Sequence, residues 1–271
     1  MNIFRFLAGG NKLTSGIPGK IFPSRVFQTR AWVKKNKPGL NTFHGMITFC
    51  GFRGSGKSYM CSGLILSQIQ REYIYRFYTN EPIFWRRYYE AVHFKWWHKY
   101  KFMRRFKLAA EKKVDRLVKT AEDKTEMYHG REEFFKLITK SPDYSHLKNS
   151  MIYVDETHRI MPQMMERGDY ADAIAGLMSA LRKLGMPFIG NTQFFKFINK
   201  AERLQGDVVA QCKSIRIPFF GQATFSVFYR AQEFAVNEET GKVEGDPIDF
   251  KFAWHDWRRY LVFDSFLMKG S

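Results

Sequence analysis

The chain has 271 residues, with 44 Lys or Arg against 26 Asp or Glu, and its formal net charge is +18 at pH 7. A chain of this length can bury one substantial hydrophobic core, with an arm or small appendage besides. Such an excess of positive charge predicts an anionic partner: a polyanion, an acidic membrane surface or an acidic protein.

Aromatic residues make up 17% of the chain. Basic and aromatic residues together are typical of proteins that hold a phosphate backbone and stack on bases, so composition favours nucleic acid over an aromatic core beneath a solvated basic surface. The cysteines Cys50, Cys61 and Cys212 show no CxxC spacing, which fits a reducing compartment. The histidines lack metal-ligand spacing, so no zinc site is predicted.

Residues 1–44 contain eight Lys or Arg and no Asp or Glu. They predict a basic N-terminal arm that becomes ordered on a partner or a neighbouring subunit. No stretch approaches the roughly 18 to 20 apolar residues needed to cross a bilayer. The apolar start is also too short for a secretory signal, so we expect a soluble protein of the cytosol.

The apolar run Met46–Cys50 predicts a buried strand, and Ser58–Gln70 predicts a helix with an apolar stripe. Between them, Gly51–Ser58 fits G-x-x-x-x-G-K-[ST] at every fixed position. Glycines let backbone N–H groups face a phosphate, and the positive end of the helix adds to the attraction. The pattern predicts an ATP-binding loop whose contacts are Gly51, Arg53, Gly54, Ser55, Gly56, Lys57, Ser58 and Tyr59.

Two of these residues have specific chemistry. Lys57 is expected to reach the β- and γ-phosphates, and the Ser58 hydroxyl to coordinate Mg²⁺. A strand is predicted over Tyr73–Tyr78, and a helical insertion over about 84–126 follows. Between residues 85 and 119 this insertion has twelve basic residues against three acidic ones.

The apolar run Met151–Val154 predicts a strand that ends in Asp155 and Glu156. The carboxyl ends of parallel strands bind ligands in open α/β sheets. We expect Asp155 to hold Mg²⁺ through water and Glu156 to act as the general base that polarises the attacking water. An N-cap would explain this pair by itself, but the upstream loop favours the metal.

Further along, Asp169–Leu184 predicts an amphipathic helix with Asp169 as its N-cap and Gly185 just past its end. The strand Phe188–Gly190 leads into Asn191-Thr192-Gln193, where Gln193 is a candidate sensor of the γ-phosphate and a simple turn is the alternative. Strands are also predicted over Val208–Ile217 and Thr224–Tyr229. Strands and helices in alternation predict an α/β fold with a mostly parallel sheet.

An arginine from a neighbouring subunit often stabilises transition-state charge in assembled ATPases. Arg182, near the end of the predicted helix, is the first candidate for this catalytic role, and Arg203 and Arg159 are the others. Each of the three is equally explained as a surface residue.

Together these motifs resemble the FtsK–HerA superfamily, in the branch of zonular occludens toxin-like phage assembly proteins and viral genome-packaging ATPases. The resemblance rests on Gly51–Ser58, Tyr78-Thr79-Asn80 and Val154–Arg159. It continues through Leu181–Gly185, Asn191-Thr192-Gln193 and Phe263–Phe266. It covers residues 45–230 and implies a RecA-like core there. The aromatic tail, 250–268, separately predicts that a C-terminal extension, 231–271, packs on the core.

The family implies a homo-oligomeric ring, commonly a hexamer, that uses Mg-ATP to move DNA. Zonular occludens toxin-like proteins begin near the P-loop strand and carry a membrane-spanning helix after the ATPase domain. The basic arm and the lack of such a helix favour genome packaging, with a capsid or portal-like vertex protein as a further partner. We expect a location in the host cytoplasm or on the virus particle.

Two other interpretations stay open. One is a membrane-associated ATPase for the extrusion of filamentous phage, in which the basic insertion faces anionic lipid. The other is a non-catalytic nucleic-acid-binding protein of the particle. The intact residues Lys57, Ser58, Asp155 and Glu156 speak against the second.

Overall fold

The computed structural model describes residues 45–69, 74–94, 104–162, 168–198, 200–217, 221–236 and 243–263. The predicted arm, residues 1–44, lies outside the described residues, as do residues 95–103 of the predicted insertion and the side chain of Arg182.

The described residues form ten strands and eight α-helices, and strands and helices are interspersed up to Gln205, after which five strands follow one another. The strands are β1 Gly45–Cys50, β2 Arg76–Thr79, β3 Thr125–Met127, β4 Ser150–Val154, β5 Pro187–Thr192, β6 Val208–Ile217, β7 Gly221–Arg230, β8 Ala235–Val236, β9 Val243–Glu244 and β10 Pro247–Trp254. The α-helices are α1 Lys57–Ile69, α2 Trp85–His93, α3 Arg104–Lys124, α4 Gly130–Thr139, α5 Thr157–Ile160, α6 Asp169–Leu184, α7 Lys200–Gln205 and α8 Trp257–Tyr260. Short 3₁₀ turns cover Ser145–Leu147, Phe195–Phe197 and Leu261–Phe263.

Eight strands form one sheet in the order β10-β7-β6-β1-β5-β4-β2-β3. The six strands from β6 to β3 are parallel, and β7 joins β6 in the antiparallel sense, as β10 joins β7. The sheet is therefore mixed but mostly parallel, as predicted. The strands β1, β4 and β5 all end at the same end of the sheet, which carries the loop Gly51–Ser58, here called the P-loop.

The sheet has a hydrophobic layer on each face because its buried strands alternate. Ile47 and Phe49 of β1 belong to the hydrophobic layer that includes buried residues of α1, α2 and α3, whereas Met46 belongs to the layer of α4 and α6 on the other face. Tyr153 and Ile152 of β4 divide in the same way. Such alternation follows from the two-residue period of a strand, and it produces three layers, helix–sheet–helix.

The structure differs from the predicted organisation at the two outermost strands of the sheet, β3 and β10. Residues 125–127 form β3, which pairs with β2, so the connection between these two paired strands contains α2 and α3. At the other edge β10, Pro247–Trp254, pairs with β7 and extends the main sheet. The C-terminal segment thus contributes a strand to the sheet itself.

The helix predicted over Asp169–Leu184 has those bounds, and Gly185 follows it with φ +65°, the left-handed conformation expected past a helix end. The predicted N-cap is wrong by one residue. The carbonyl of Gly168 accepts from the amides of Ala171 and Asp172, so Asp169 is the first helical residue. A carboxylate is still favourable there because the helix N-terminus is positive.

Within the described part of the chain, no helix combines the length and the apolar character that crossing a bilayer requires.

Candidate nucleotide-binding site

The P-loop connects β1 to α1 and lies at the edge where the parallel strands end. Three of its glycines have positive φ: Gly51 at +144°, Gly54 at +80° and Gly56 at +87°. Side chains are disfavoured at Gly54 and Gly56 for this reason, which explains glycine at those places. The carbonyl of Gly56 accepts from Met60 N at 3.0 Å and so begins the hydrogen-bonding of α1.

Lys57 is buried, and its ammonium is held by the loop itself. It donates to the carbonyl oxygens of Gly51 at 2.7 Å and Phe52 at 3.1 Å. An ammonium so placed lies inside the curve of the loop, where a phosphate would bind. It can reach a phosphate only by exchanging these carbonyls for phosphate oxygens.

One amide group joins the two predicted metal-binding residues. Asn191, near the end of β5, donates from Nδ2 to Asp155 Oδ1 at 2.5 Å and lies 3.4 Å from Ser58 Oγ. Asp155 also accepts from the hydroxyl of Tyr153 at 3.0 Å, and burial beside Asp155 raises the pKa of Tyr153, which keeps this donor protonated. Ser58 and Asp155 are therefore brought together as predicted.

These residues fit a magnesium ion. A hydroxyl and a carboxylate are the hard oxygen ligands that Mg²⁺ takes together with water and phosphates. Ser55 Oγ and Asn191 Oδ1 are buried and lack a hydrogen-bond partner among the described residues, which marks a place where a polar ligand would bind. No group of three or more His, Cys, Asp or Glu in the described ranges is arranged to hold a metal alone, so the nucleotide would supply the remaining ligands.

Glu156 occupies a strained conformation directly after β4. Its φ is +50° and its ψ +52°, the left-handed region that side chains seldom adopt. Its carboxylate accepts from Gln193 Nε2 at 3.3 Å and lies 3.2 Å from His158 Nε2. The predicted base and the predicted sensor thus share a hydrogen bond. Strain of this kind often accompanies a functional role.

Several residues that complete the site were missed as functional by sequence reasoning. The Asn80 side chain holds the backbone of Asp155 from both sides, accepting from its N–H at 2.7 Å and donating to its carbonyl at 2.9 Å. Thr157 donates to the Asn191 carbonyl and accepts from the Asn191 amide, which ties the ends of β4 and β5 together. Both residues lie in motifs that carry the family resemblance, Tyr78-Thr79-Asn80 and Val154–Arg159, but neither was assigned a role from the sequence.

Glu81 adds a third carboxyl beside Asp155 and Glu156. Burial, then the charge of Asp155, a hydrogen bond to Asp155 and the charge of Glu156 raise its pKa from 4.5 to about 8. Three acidic groups so close together repel one another unless one is protonated or a cation is present.

The remaining predicted contacts differ in exposure. Arg53 and Gly54 are exposed at the rim of the loop. Tyr59 is buried at 3% exposure, with its ring against His255 and Tyr260, so its side chain is closed to a nucleotide and only its backbone remains for that role. Arg159 is exposed, with Nε 4.0 Å from Glu156 of the same chain. The catalytic roles of Arg203 and Arg182 stay predictions.

No protein-family model matches the sequence, and no curated protein sequence matches it. Among solved structures, the chain is similar to the N-terminal domain of zonular occludens toxin from Neisseria meningitidis, at TM-score 0.45 and 13% identity over 82% of this chain and 100% of that one. It is also similar to the genome packaging NTPase B204 from Sulfolobus turreted icosahedral virus 2, at TM-score 0.43 and 12% identity over 76% and 98%. For a third solved structure, an ATPase domain, the TM-score is 0.46 and the identity 9%, over 90% and 99%.

Both kinds of protein named in the sequence resemblance thus occur among the similar structures. The likeness is distant and carries no conclusion about activity.

The carboxyl cluster gives a prediction for stability. Glu81→Gln keeps a side chain that can donate to Asp155 but removes the third negative charge, so without Mg²⁺ it should raise the melting temperature. Because the wild-type carboxyl titrates near 4.5 when unfolded and about 8 when folded, wild-type stability falls as pH rises through this window. The gain should be near zero at pH 4.5 and reach about 2 to 6 °C above pH 8.

Thermal unfolding monitored by circular dichroism between pH 4.5 and 9 would measure this gain. The exposed variant Glu132→Gln is the matched control. A gain that is the same at every pH would contradict the prediction.

Proposed function

We propose that the protein is a magnesium-dependent ATPase that binds ATP in the loop Gly51–Ser58. The observation that carries this proposal is the single Asn191 amide shared by Asp155 and the Ser58 hydroxyl. It puts the second metal anchor within reach of the loop, as a phosphate-bound cation requires. Bound Mg²⁺ would neutralise phosphate charge and polarise the γ-phosphate.

The residues around this centre have distinct tasks in hydrolysis. Lys57 leaves the carbonyls of Gly51 and Phe52 to neutralise charge on the β- and γ-phosphates. Glu156 accepts a proton from the attacking water as the oxygen bonds to the γ-phosphorus and the bond to the β–γ bridging oxygen breaks. Gln193 and His158 hold the Glu156 carboxylate in place.

Lys57→Ala and Glu156→Gln should each reduce ATP turnover by at least about 100-fold, because one loses charge stabilisation and the other the base. Glu156→Gln should still bind ATP, whereas Lys57→Ala should bind it weakly. Phosphate release and binding of a fluorescent ATP analogue would measure these changes. Lys136→Ala and Glu132→Gln, at exposed residues, are the matched controls. If Glu156→Gln retains its turnover, Glu156 is excluded as the base.

The finer proposal is that hydrolysis moves DNA, as in packaging of a viral genome by a ring of subunits. Helix α3 supports it. Arg105, Lys112, Arg116 and Lys119 are exposed and fall within about 60° of one another around the helix axis. Val114, Val118 and Ala121 on the opposite side are buried in the core. With Asp123 as the one acidic residue on it, this basic face is turned to solvent, where a phosphate backbone can bind.

Reversing two charges of this face, in Arg116→Glu with Lys119→Glu, should weaken DNA binding and reduce the slope of log affinity against log salt by about 1 to 2, because fewer counterions are released. Gel shift or anisotropy at several salt concentrations would test it. Lys136→Glu with Lys140→Glu reverses as many exposed charges elsewhere. Equal losses in the two double variants would show general electrostatics and contradict a DNA-binding face on α3.

A second surface supports coupling between DNA and ATP. Phe52 in the loop, 73% exposed, contacts Phe194 edge to face with ring centres 5.6 Å apart, and Phe194 contacts Phe197 at 5.4 Å. The Lys196 ammonium lies 5.5 Å from the centre of the Phe197 ring. We name Phe52, Phe194, Phe197 and Lys196 the aromatic patch. It joins the loop to the residue after Gln193, and exposed rings beside a cation suit stacked bases.

Phe194→Ala with Phe197→Ala should lower the DNA stimulation of ATP turnover by roughly fivefold or more, since each stacked base is worth about 1–3 kcal/mol. Turnover without DNA should fall much less. ATP hydrolysis titrated with single-stranded and duplex DNA would measure both. Phe225→Ala with Phe250→Ala, which changes a contacting pair on β7 and β10, is the control. If DNA does not change the ATP turnover of the wild-type protein and the protein floats with anionic liposomes, the phage-extrusion alternative is favoured.

A further inference from the structure

The P-loop rests on two strands that the sequence motif does not include. A side-chain carbon added to Gly51 would lie 2.6 Å from the carbonyl oxygen of Cys212 on β6. One added to Gly56 would lie 1.8 Å from Thr224 Oγ1 on β7. The loop is thus packed directly against β6 at its start and against the Thr224 hydroxyl at its end, and Thr224 is itself completely buried.

A hydrogen-bonded chain holds Thr224 in place. Thr224 Oγ1 lies 2.6 Å from His255 Nε2, and His255 Nδ1 is hydrogen-bonded to the hydroxyl of Tyr260. Burial, and then the nearby charge of Arg259, lower the pKa of His255 to about 4, so its ring is neutral at pH 7. A neutral imidazole has one donor and one acceptor nitrogen, which matches its two hydroxyl partners.

The same histidine also fixes the residue after Ser58. The His255 ring stacks on Tyr59 with centres 4.4 Å apart and planes 25° from parallel. The Tyr59 hydroxyl donates to the carbonyl of Trp254 at 2.6 Å and accepts from the amide of Asp256 at 2.9 Å. Lys57 and Ser58 therefore lie between Gly56, which packs against Thr224, and Tyr59, which is held by Trp254, His255 and Asp256. His255 contacts both Thr224 and Tyr59.

We propose that Thr224 and His255 are positioning residues for ATP binding, which set the conformation of Gly56 so that its N–H faces the phosphates. The proposal rests on the proposed ATPase function. A glycine at positive φ has more backbone freedom than any other residue. Packing against Thr224 restricts the backbone of Gly56 before the nucleotide binds, so less conformational entropy is lost on binding.

Thr224→Val tests this directly, because valine matches the shape of threonine but cannot bond to His255. The Kd and KM for Mg-ATP should rise roughly three- to tenfold, because this change in affinity corresponds to the free energy of one hydrogen bond that orders the loop. The kcat should change by less than about twofold, because the Gly56 N–H, unlike the Lys57 ammonium, is expected to hold its phosphate equally in the ground and transition states. Thr224→Ser, which keeps the hydroxyl, should restore most of the affinity.

His255 provides an independent pair of variants, which serves if Thr224→Val fails to fold. His255→Leu should raise Kd and KM as Thr224→Val does, and His255→Gln, which keeps a neutral donor, should recover part of the affinity. Ser226→Ala is the control for lost stability, since Ser226 is a buried hydroxyl on the same face of β7, two residues from Thr224, bonded to Cys212. It should lower the melting temperature without changing KM.

The outcomes separate the two proposals. If the wild-type protein binds ATP but Thr224→Val and His255→Leu bind it as tightly, or lose only the stability that Ser226→Ala loses, the positioning role is overturned and the ATPase proposal stands. If the wild-type protein itself does not bind ATP, the proposed function fails and the positioning role fails with it.

Discussion

Parallel pairing of β4 with β5, and of β5 with β1, is the constraint on which the candidate site depends. The registers that join Val154 to Gly190 and Cys50 to Thr192 bring three strand ends to one edge of the sheet. Asn191 can therefore bridge Ser58 and Asp155. A shift of one residue in β5 would turn Asn191 to the opposite face and break that bridge.

The same pairing crowds negative charge at this edge. Glu81 follows β2 as Asp155 and Glu156 follow β4, and the three carboxyls share one small region. The left-handed backbone of Glu156 adds local strain. Both features cost stability in a protein without a cation, and both suit a site that binds a divalent ion and a water molecule. The proposed site for a metal ion and a nucleotide would account for both features.

The two halves of the sheet contribute different features around the candidate site. On one side, α3 carries the basic face and leads into β3, which is the last strand on that side of the sheet. On the other side, the antiparallel strands β7 and β10 lie beneath the loop through Thr224 and His255. The P-loop thus has a buried support beneath it, and the aromatic patch includes its exposed residue Phe52.

The sequence by itself determined the loop, the carboxylates of Asp155 and Glu156, and the mostly parallel sheet, because each depends on residues that are adjacent in the chain or on a local hydrophobic period. Only the tertiary structure decided that Asn191 is the bridging residue, that Glu81 joins the carboxyls and that the Tyr59 side chain is buried against His255. It also made β3 and β10 part of the main sheet. These features depend on contacts between segments that are distant in the chain. Strand register and core packing determine such contacts, and a local sequence pattern contains no information about them.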